Sequence, residues 1–266
     1  MNIDYRISLW NYVHFASGPS LEDAIAEIRS LGYGAELWDR WRGEQGLFSP
    51  AQRDRVKGLV EGMNVSMHTI MPRGRPMTWE ENCEQIDTAA CVGADTIVAH
   101  VTSTGIGAPS PDYALLRNVV AYAGDRGVTI AVENGDAHAI ERALPEVAGL
   151  KTCLDTGHVY NDGFTMPECL RIMGDRLVHM HLQDRLTHLD HYIPGTGIIP
   201  DGDWRLLFTH LKNTDFQGAG VFELRPRRPD VSAREGRAFV ESIRTQVQQQ
   251  EESHHGLEND RQDRST

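Results

Sequence analysis

The segment VTIAVENGDAHAIERALPEVAGLKTCLDTGH, residues 128–158, contains two short apolar runs separated by a helical pattern. The runs VTIAVEN (128–134) and KTCLD (151–155) each carry a carboxylate at or near their end. Apolar residues recur at helical spacing over about 137–148, between the two runs. A strand, a helix and a second strand of these lengths predict a βαβ unit with parallel strands.

The same alternation of strand and helix extends along most of the 266 residues. Predicted strands occupy 5–9, 34–38, 64–68, 95–100, 128–134, 151–155, 177–184 and 218–224. Eight strand–helix units in a chain of about 250 residues predict an α/β fold of the (β/α)8 TIM barrel type. A doubly wound open sheet is the alternative, but no G-x-G-x-x-G pattern opens the first helix.

Capping residues mark where several of the predicted helices begin. Ser20, Thr78 and Thr165 each precede a helical pattern, and Ser49 with Pro50 suggests a further start. The last helix is expected to run from Ser232 to about residue 248. We therefore expect one barrel domain over residues 1–248, followed by a polar, disordered tail over 249–266.

Composition limits the classes of function. The net charge is −12 and the isoelectric point is near 5.4, which argues against a nucleic-acid partner. No apolar run approaches a membrane span, and the N-terminus does not resemble a signal peptide. The four cysteines form no C-x-x-C pair. We expect a cytoplasmic protein with reduced thiols that contacts no membrane and acts on a small polar molecule.

Polar residues terminate six consecutive predicted strands. Active sites of TIM barrels lie at the carboxyl ends of the strands, so these side chains should meet at one rim. Buried carboxylates at one rim would repel each other, and a divalent cation would remove that repulsion. Four of these residues, Glu133, Asp155, His181 and Glu223, provide three carboxylates and one imidazole. Such a set suits Mn²⁺, Mg²⁺ or Co²⁺, and Zn²⁺ is an alternative. The six strand-end residues are His68, His100, Glu133, Asp155, His181 and Glu223.

The ordered motifs AVEN, LDTGH, HMHLQD, HYIPGTG and FEL resemble the xylose isomerase-like barrel superfamily. That superfamily contains sugar isomerases and epimerases, related dehydratases and apurinic endonucleases. The resemblance implies that the metal ligands are Glu133, Asp155, His181 and Glu223. It further implies that Glu133 and Glu223 are the catalytic acid–base pair, and that His158 binds substrate oxygens. The loop from His191 to Gly197 matches the pattern H-x-x-P-G-x-G and would border the pocket.

The implied reaction is a proton transfer next to a carbonyl, through a metal-stabilised enediolate. Return of the proton to the opposite face of the same carbon gives an epimer, and return to the adjacent carbon gives an isomer. The expected substrate is a ketose or a related keto-polyol. Mn²⁺ is the first choice of cation, with Mg²⁺, Co²⁺ and Zn²⁺ as alternatives.

Two other reactions stay open. A dehydratase or lyase could expel a β-hydroxyl from the same intermediate. A zinc-dependent apurinic endonuclease would use additional ligands at His68, His100, His158 and His191, but Leu189 stands where those enzymes carry an aspartate, with Asp190 adjacent. A metal-binding barrel without catalytic activity is a third alternative.

Several residues near the strand ends are candidate substrate contacts. His68, His100 and His191 could bind substrate oxygens, and Trp10 could lie against a sugar ring or belong to the core. Arg225, two residues after Glu223, could bind an anionic substrate group or lie in solvent. Glu36 could pair inside the barrel or touch substrate. Whether the chain forms a homo-oligomer is left open by the sequence.

Overall fold

The structure is a computed structural model. It describes residues 1–13, 18–39, 41, 46–69, 75–161, 163–225 and 229–263.

Eight parallel strands close into a barrel, which confirms the predicted (β/α)8 fold. The barrel strands are β1 (Asn2–Ser8), β2 (Gly34–Trp38), β3 (Val65–His68), β4 (Ala94–His100), β5 (Thr129–Glu133), β6 (Lys151–Asp155), β7 (Leu177–His181) and β10 (Gln217–Phe222). Around the barrel the order is β1, β10, β7, β6, β5, β4, β3 and β2, which closes on β1. The carboxyl ends of all eight strands therefore open at one mouth.

Helices follow the barrel strands, and the longer ones form the outer layer. The longer helices are α2 (Leu21–Ser30), α3 (Arg53–Val60), α4 (Trp79–Val92), α6 (Tyr113–Gly124), α7 (Ala137–Glu146), α9 (Met166–Met173), α10 (Asp201–Asn213) and α11 (Pro229–Asp263). Four-residue helices follow β1, β4 and β6, namely α1 (Trp10–Val13), α5 (Val101–Thr104) and α8 (His158–Asn161), and a 3₁₀ turn spans Gly174–Arg176. Among the residues that the structure describes, no helix is both long and apolar enough to cross a membrane.

The predicted seventh strand is shorter than its apolar run. β7 ends at His181, and the chain then forms an antiparallel hairpin of β8 (Asp184–Leu186) and β9 (Leu189–Tyr192). Arg225 follows the carboxyl end of β10 and donates its backbone N–H to the carbonyl of His191 at 2.6 Å. This hydrogen bond holds the hairpin beside the mouth. The prediction of one strand over 177–184 is therefore wrong at its end.

Most helix starts match their caps. Ser20 accepts from the N–H of Asp23, and Thr78 forms a reciprocal capping box with Glu81. Thr165 begins α9 as predicted. The start at Ser49 and Pro50 is wrong, because Gln52 donates to the carbonyl of Ser49 in a turn and α3 begins only at Arg53.

The last helix begins at Pro229 rather than Ser232 and continues to Asp263. This helix includes the backbone of residues 249–263, and the disorder expected for 249–266 stays a prediction. Glu and Gln in QQQEE have high helix propensity, and extension of an existing helix requires no new nucleation. The domain boundary at residue 248 stays a prediction, and residues 264–266 lie outside the described part.

The floor of the barrel is closed by an ion-pair cluster. Arg6 on β1 is only 3% exposed. Its guanidinium donates to both carboxylate oxygens of Asp95 at 3.0 and 2.5 Å, and to Asp4 at 2.8 Å. This cluster lies toward the amino-terminal ends of the strands, the face of a TIM barrel that contributes to stability. Active sites of such barrels lie at the opposite end, the mouth.

Candidate active site

The residues predicted from the strand ends meet at the mouth. The Nδ1 atom of His181 lies 2.8 Å from Oε1 of Glu133, 3.4 Å from Oε2 of Glu223 and 3.7 Å from Oδ2 of Asp155. All four side chains are buried. One imidazole nitrogen therefore faces three carboxylates, each of which comes from a different part of the barrel wall.

His68 and His100 approach Glu133 from the other side. The Nε2 atom of His100 lies 3.1 Å from Oε2 of Glu133, and that of His68 lies 3.7 Å from the same oxygen. The rings of His68 and His100 are 4.6 Å apart, and the indole of Trp38 lies 4.6 Å from His68. Both histidines thus line the site beside its central carboxylate.

Asp155 is held in place by two donors. Its Oδ1 accepts the backbone N–H of His158 at 2.9 Å, and its Oδ2 accepts Nε2–H of Gln183 at 2.6 Å. The other end of the Gln183 amide accepts the backbone N–H of His191. Sequence reasoning missed Gln183, although its position two residues after His181 is a signal for a side chain near the mouth. This amide joins β6 to the hairpin.

Gly157 is required for space rather than for an unusual turn. Its φ is not positive, and a Cβ at this position would lie 2.7 Å from Oε1 of Gln183. The backbone of Gly157 can therefore pack directly against the side chain of Gln183. The next residue, His158, lies at the mouth, with its Nδ1 3.6 Å from Asp155 and 3.7 Å from Glu133.

Trp10, Asp190, His191 and Arg225 form the outer wall of the site. Trp10 stacks on His191 with ring centroids 4.2 Å apart. Arg225 donates through its guanidinium to the side chain and the carbonyl of Asp190, each at 3.0 Å. Asp190 also lies 3.7 Å from Nε2 of His158. Arg225 therefore borders the site through Asp190. The carboxylate adjacent to Leu189, that of Asp190, is paired with Arg225.

A further buried group lies on the other side of His181. Glu36 on β2 has no solvent-exposed surface, and its Oε2 contacts Nε2 of His179 at 3.0 Å and Nε2 of His181 at 3.3 Å. Of the two readings of Glu36, the structure shows the pairing inside the barrel. His179 was not singled out from sequence, although its spacing of two from His181 places both side chains on the inner face.

Burial and charge perturb the carboxyls and the histidine at the mouth. Burial raises the pKa of Glu133, but His181, His100 and His68 together outweigh burial, and the net pKa lies well below the ordinary value. Burial raises the pKa of Glu223 above its ordinary value. Burial lowers the pKa of His158, but the neighbouring carboxylates, with Asp155 and Asp190 foremost, together raise it to about 10. The lowered pKa of Glu133 keeps this carboxylate ionised, as a cation ligand requires.

These residues fit a divalent cation. Ligand atoms of His68, Glu133, His181 and Glu223 all lie within 4.8 Å of one another, and Glu133 also belongs to an overlapping group with Asp155 and His158. Within the described residues the buried Oε2 of Glu133 accepts no well-aligned hydrogen bond, although Nε2 of His100 lies 3.1 Å away. Carboxylate oxygens with one or two imidazole nitrogens form a ligand set for Mn²⁺, Mg²⁺, Co²⁺ or Zn²⁺.

A family model described as xylose isomerase-like TIM barrel matches residues 25–243. The chain belongs to this xylose isomerase-like family. The match spans α2 to α11 and therefore includes every strand that contributes to the mouth except β1.

Relatives of this xylose isomerase-like barrel include sugar epimerases. A 74-residue stretch is 34% identical to D-psicose 3-epimerase of Enterocloster bolteae, and it covers 28% of this chain but only 22% of that enzyme. An L-ribulose 3-epimerase structure superposes with a TM-score of 0.73 and 16% identity, over 94% of this chain and 97% of the other. A Thermus thermophilus protein soaked with ZnCl2 superposes with a TM-score of 0.65 and 20% identity, over 92% of this chain and 99% of the other. At these identities the superpositions show a shared fold.

Proposed function

We propose that the protein is a divalent-metal-dependent epimerase that acts on a ketose or a related keto-polyol. The observation that carries the proposal is the position of Glu133 and Glu223, which both lie within 3.4 Å of one nitrogen of His181. Glu133 ends β5 and Glu223 follows β10, and β6 and β7 lie between these two strands in the barrel wall. The two carboxyls therefore reach one substrate from different directions. The similarity to D-psicose 3-epimerase and L-ribulose 3-epimerase favours an epimerase over an isomerase.

The two glutamates move the proton. One carboxylate takes a proton from the carbon next to the carbonyl, and the electrons of the broken C–H bond pass to the carbonyl oxygen. The other carboxyl returns a proton to the opposite face of the same carbon, which inverts its configuration and restores the carbonyl. His158, at the mouth and partly exposed, donates a hydrogen bond to a substrate oxygen.

Glu133, Asp155, His181 and Glu223 would hold the cation. When bound, a divalent cation supplies Lewis-acid stabilisation of negative charge that develops on the substrate oxygens. Gln183 fixes the orientation of the Asp155 carboxylate through the 2.6 Å hydrogen bond. Mn²⁺ is our first choice, with Mg²⁺, Co²⁺ and Zn²⁺ as alternatives.

Hydrogen exchange tests the reaction. The Mn²⁺-loaded protein is incubated with a panel of ketoses in D₂O, and products are followed by NMR. We expect deuterium at the epimerised carbon with no loss of water. Glu133→Gln and Glu223→Gln should each lower kcat by about 10²-fold or more. Glu61→Gln, an exposed glutamate just after α3, is the matched control and should keep full activity.

The same experiment separates the other reactions. An unsaturated product would replace the epimerase with a dehydratase or lyase. Deuterium-free substrate together with metal-dependent nicking of abasic DNA would support an endonuclease. Near-normal turnover by either glutamine variant with saturating Mn²⁺ would contradict the assignment of the acid–base pair.

A further inference from the structure

The imidazole of His181 lies between two sets of carboxylate oxygens. Its Nδ1 faces Glu133, Asp155 and Glu223 at the mouth. Its Nε2 points the opposite way, 3.3 Å from Oε2 of Glu36. Both side chains, His181 and Glu36, have no exposed surface. Glu36 therefore lies behind His181 as seen from the mouth, and among the described residues its contact with the carboxylate cluster passes through His181.

Glu36 is fixed by two further groups in the barrel interior. Nε2 of His179 lies 3.0 Å from Oε2 of Glu36, and Oγ of Ser66 donates to the same oxygen at 3.4 Å. Within the described residues, Oε1 of Glu36 is buried without a hydrogen-bond partner. Burial of a carboxylate with one unsatisfied oxygen costs free energy, so its retention calls for a use.

The tautomer of His181 supplies that use. A neutral imidazole carries one N–H and one lone pair. With the proton on Nε2, the ring donates to Glu36 and presents the Nδ1 lone pair to a cation at the mouth. With the proton on Nδ1, an N–H would point at the cation, and the Nε2 lone pair would face the oxygen of Glu36.

We propose that Glu36 is a positioning residue that holds His181 as the Nε2–H tautomer and fixes its ring orientation for the cation. His179 and Ser66 hold Glu36 in turn. The proposal rests on the metal site of the proposed function. Outer carboxylates that orient a metal-ligating histidine typically change metal affinity or activity by about 10–100-fold when removed.

Metal affinity and histidine NMR test the role together. Mn²⁺ dissociation constants are measured by competition with a fluorescent chelator for wild type, Glu36→Gln, Ser66→Ala and the exposed control Glu61→Gln. Glu36→Gln should weaken Mn²⁺ binding by about 10–100-fold. Ser66→Ala removes only the longest contact and should change affinity by less than Glu36→Gln. The control should bind as wild type does.

The tautomer itself is read from long-range ¹⁵N–¹H spectra of histidine-labelled protein loaded with diamagnetic Zn²⁺, with His181→Gln to assign the ring. Wild type should show the Nε2–H pattern for His181, a measurement that does not depend on any variant of Glu36 folding. Glu36→Gln should broaden or shift this pattern. An Nδ1–H tautomer in wild type, or equal Mn²⁺ affinity of wild type and Glu36→Gln, overturns the positioning role.

Failure of the metal site would look different. If wild-type affinity for Mn²⁺ is immeasurably weak or unchanged by Glu133→Gln, then the proposed metal site fails. If Glu133→Gln abolishes Mn²⁺ binding while Glu36→Gln leaves it intact, then only the role of Glu36 fails.

Discussion

Gly197, the last glycine of the H-x-x-P-G-x-G loop, packs against the start of the hairpin. A Cβ at this position would overlap both Oδ1 of Asp184 and the carbonyl oxygen of Arg185. Neither atom is free to move. The carbonyl of Arg185 accepts from Ile198, and the buried carboxylate of Asp184 accepts three backbone N–H groups. Gly197→Ala must therefore break part of this arrangement.

The size of the effect follows from those hydrogen bonds. Asp184 accepts from Arg185 at 2.7 Å, from Gly195 at 3.0 Å and from Ile199 at 3.1 Å. A hydrogen bond to a charged group contributes about 1.5–3 kcal/mol. Displacement of the carboxylate that breaks one or two of them should lower the free energy of unfolding by about 1.5–6 kcal/mol. That is a large share of the about 5–15 kcal/mol typical of a native protein.

Urea denaturation followed by circular dichroism measures this loss. The control is Gly202→Ala in α10, where an added Cβ meets no atom within 4 Å. Alanine has the higher helix propensity, so Gly202→Ala should leave stability unchanged or raise it by up to about 1 kcal/mol. If Gly197→Ala and Gly202→Ala both unfold at the wild-type midpoint, then the close packing at Gly197 is not what the loop requires.

Three further perturbations have defined outcomes. Thr78→Ala removes the side-chain acceptor of the capping box on α4 and should lower the free energy of unfolding by about 1 kcal/mol in urea, whereas equal stability would contradict a role for the cap. Hydrogen bonds from Arg75 and the backbone of Thr78 lower the pKa of Glu81 from 4.5 to about 2. The difference in unfolding free energy between wild type and Glu81→Gln should therefore be full above about pH 4.5 and vanish as the pH falls towards 2. A difference that grows in acid would refute this. Chelation with EDTA should lower the melting temperature, and Mn²⁺ at about 100 times its dissociation constant should restore about 2.7 kcal/mol, unless the cation does not bind the folded state.

The strand ends were predictable because two rules act on them together. Side chains alternate along a strand, which fixes the inner face, and the mouth of the barrel fixes the height. The convergence of Glu133, Asp155 and His181 on one point follows from these rules, since each lies at or next to the end of its strand. No rule of this kind fixes the partners of residues in the loops.

The loops over the mouth show what local patterns leave undetermined. The helices α1, α5 and α8 have four residues each, too few for a helical period to appear. The hairpin that carries Asp190 and His191 is specified by the amide of Gln183 and by Asp184, whose partners lie up to 28 positions away in the chain. Such long-range hydrogen bonds leave no periodic signal.

The interior below the mouth is more polar than barrel stability requires. The inner positions of TIM barrels are filled mainly by branched apolar side chains. Here Glu36, Ser66 and His179 occupy inner positions with almost no exposure, and atoms of Glu36 and His179 lack hydrogen-bond partners within the described residues. An apolar set of similar volume would avoid that cost. Within the described residues, the only carboxylate oxygen of Glu36 with hydrogen-bond contacts is the one beside His181. The polar interior is therefore best explained by the demands of the mouth above it.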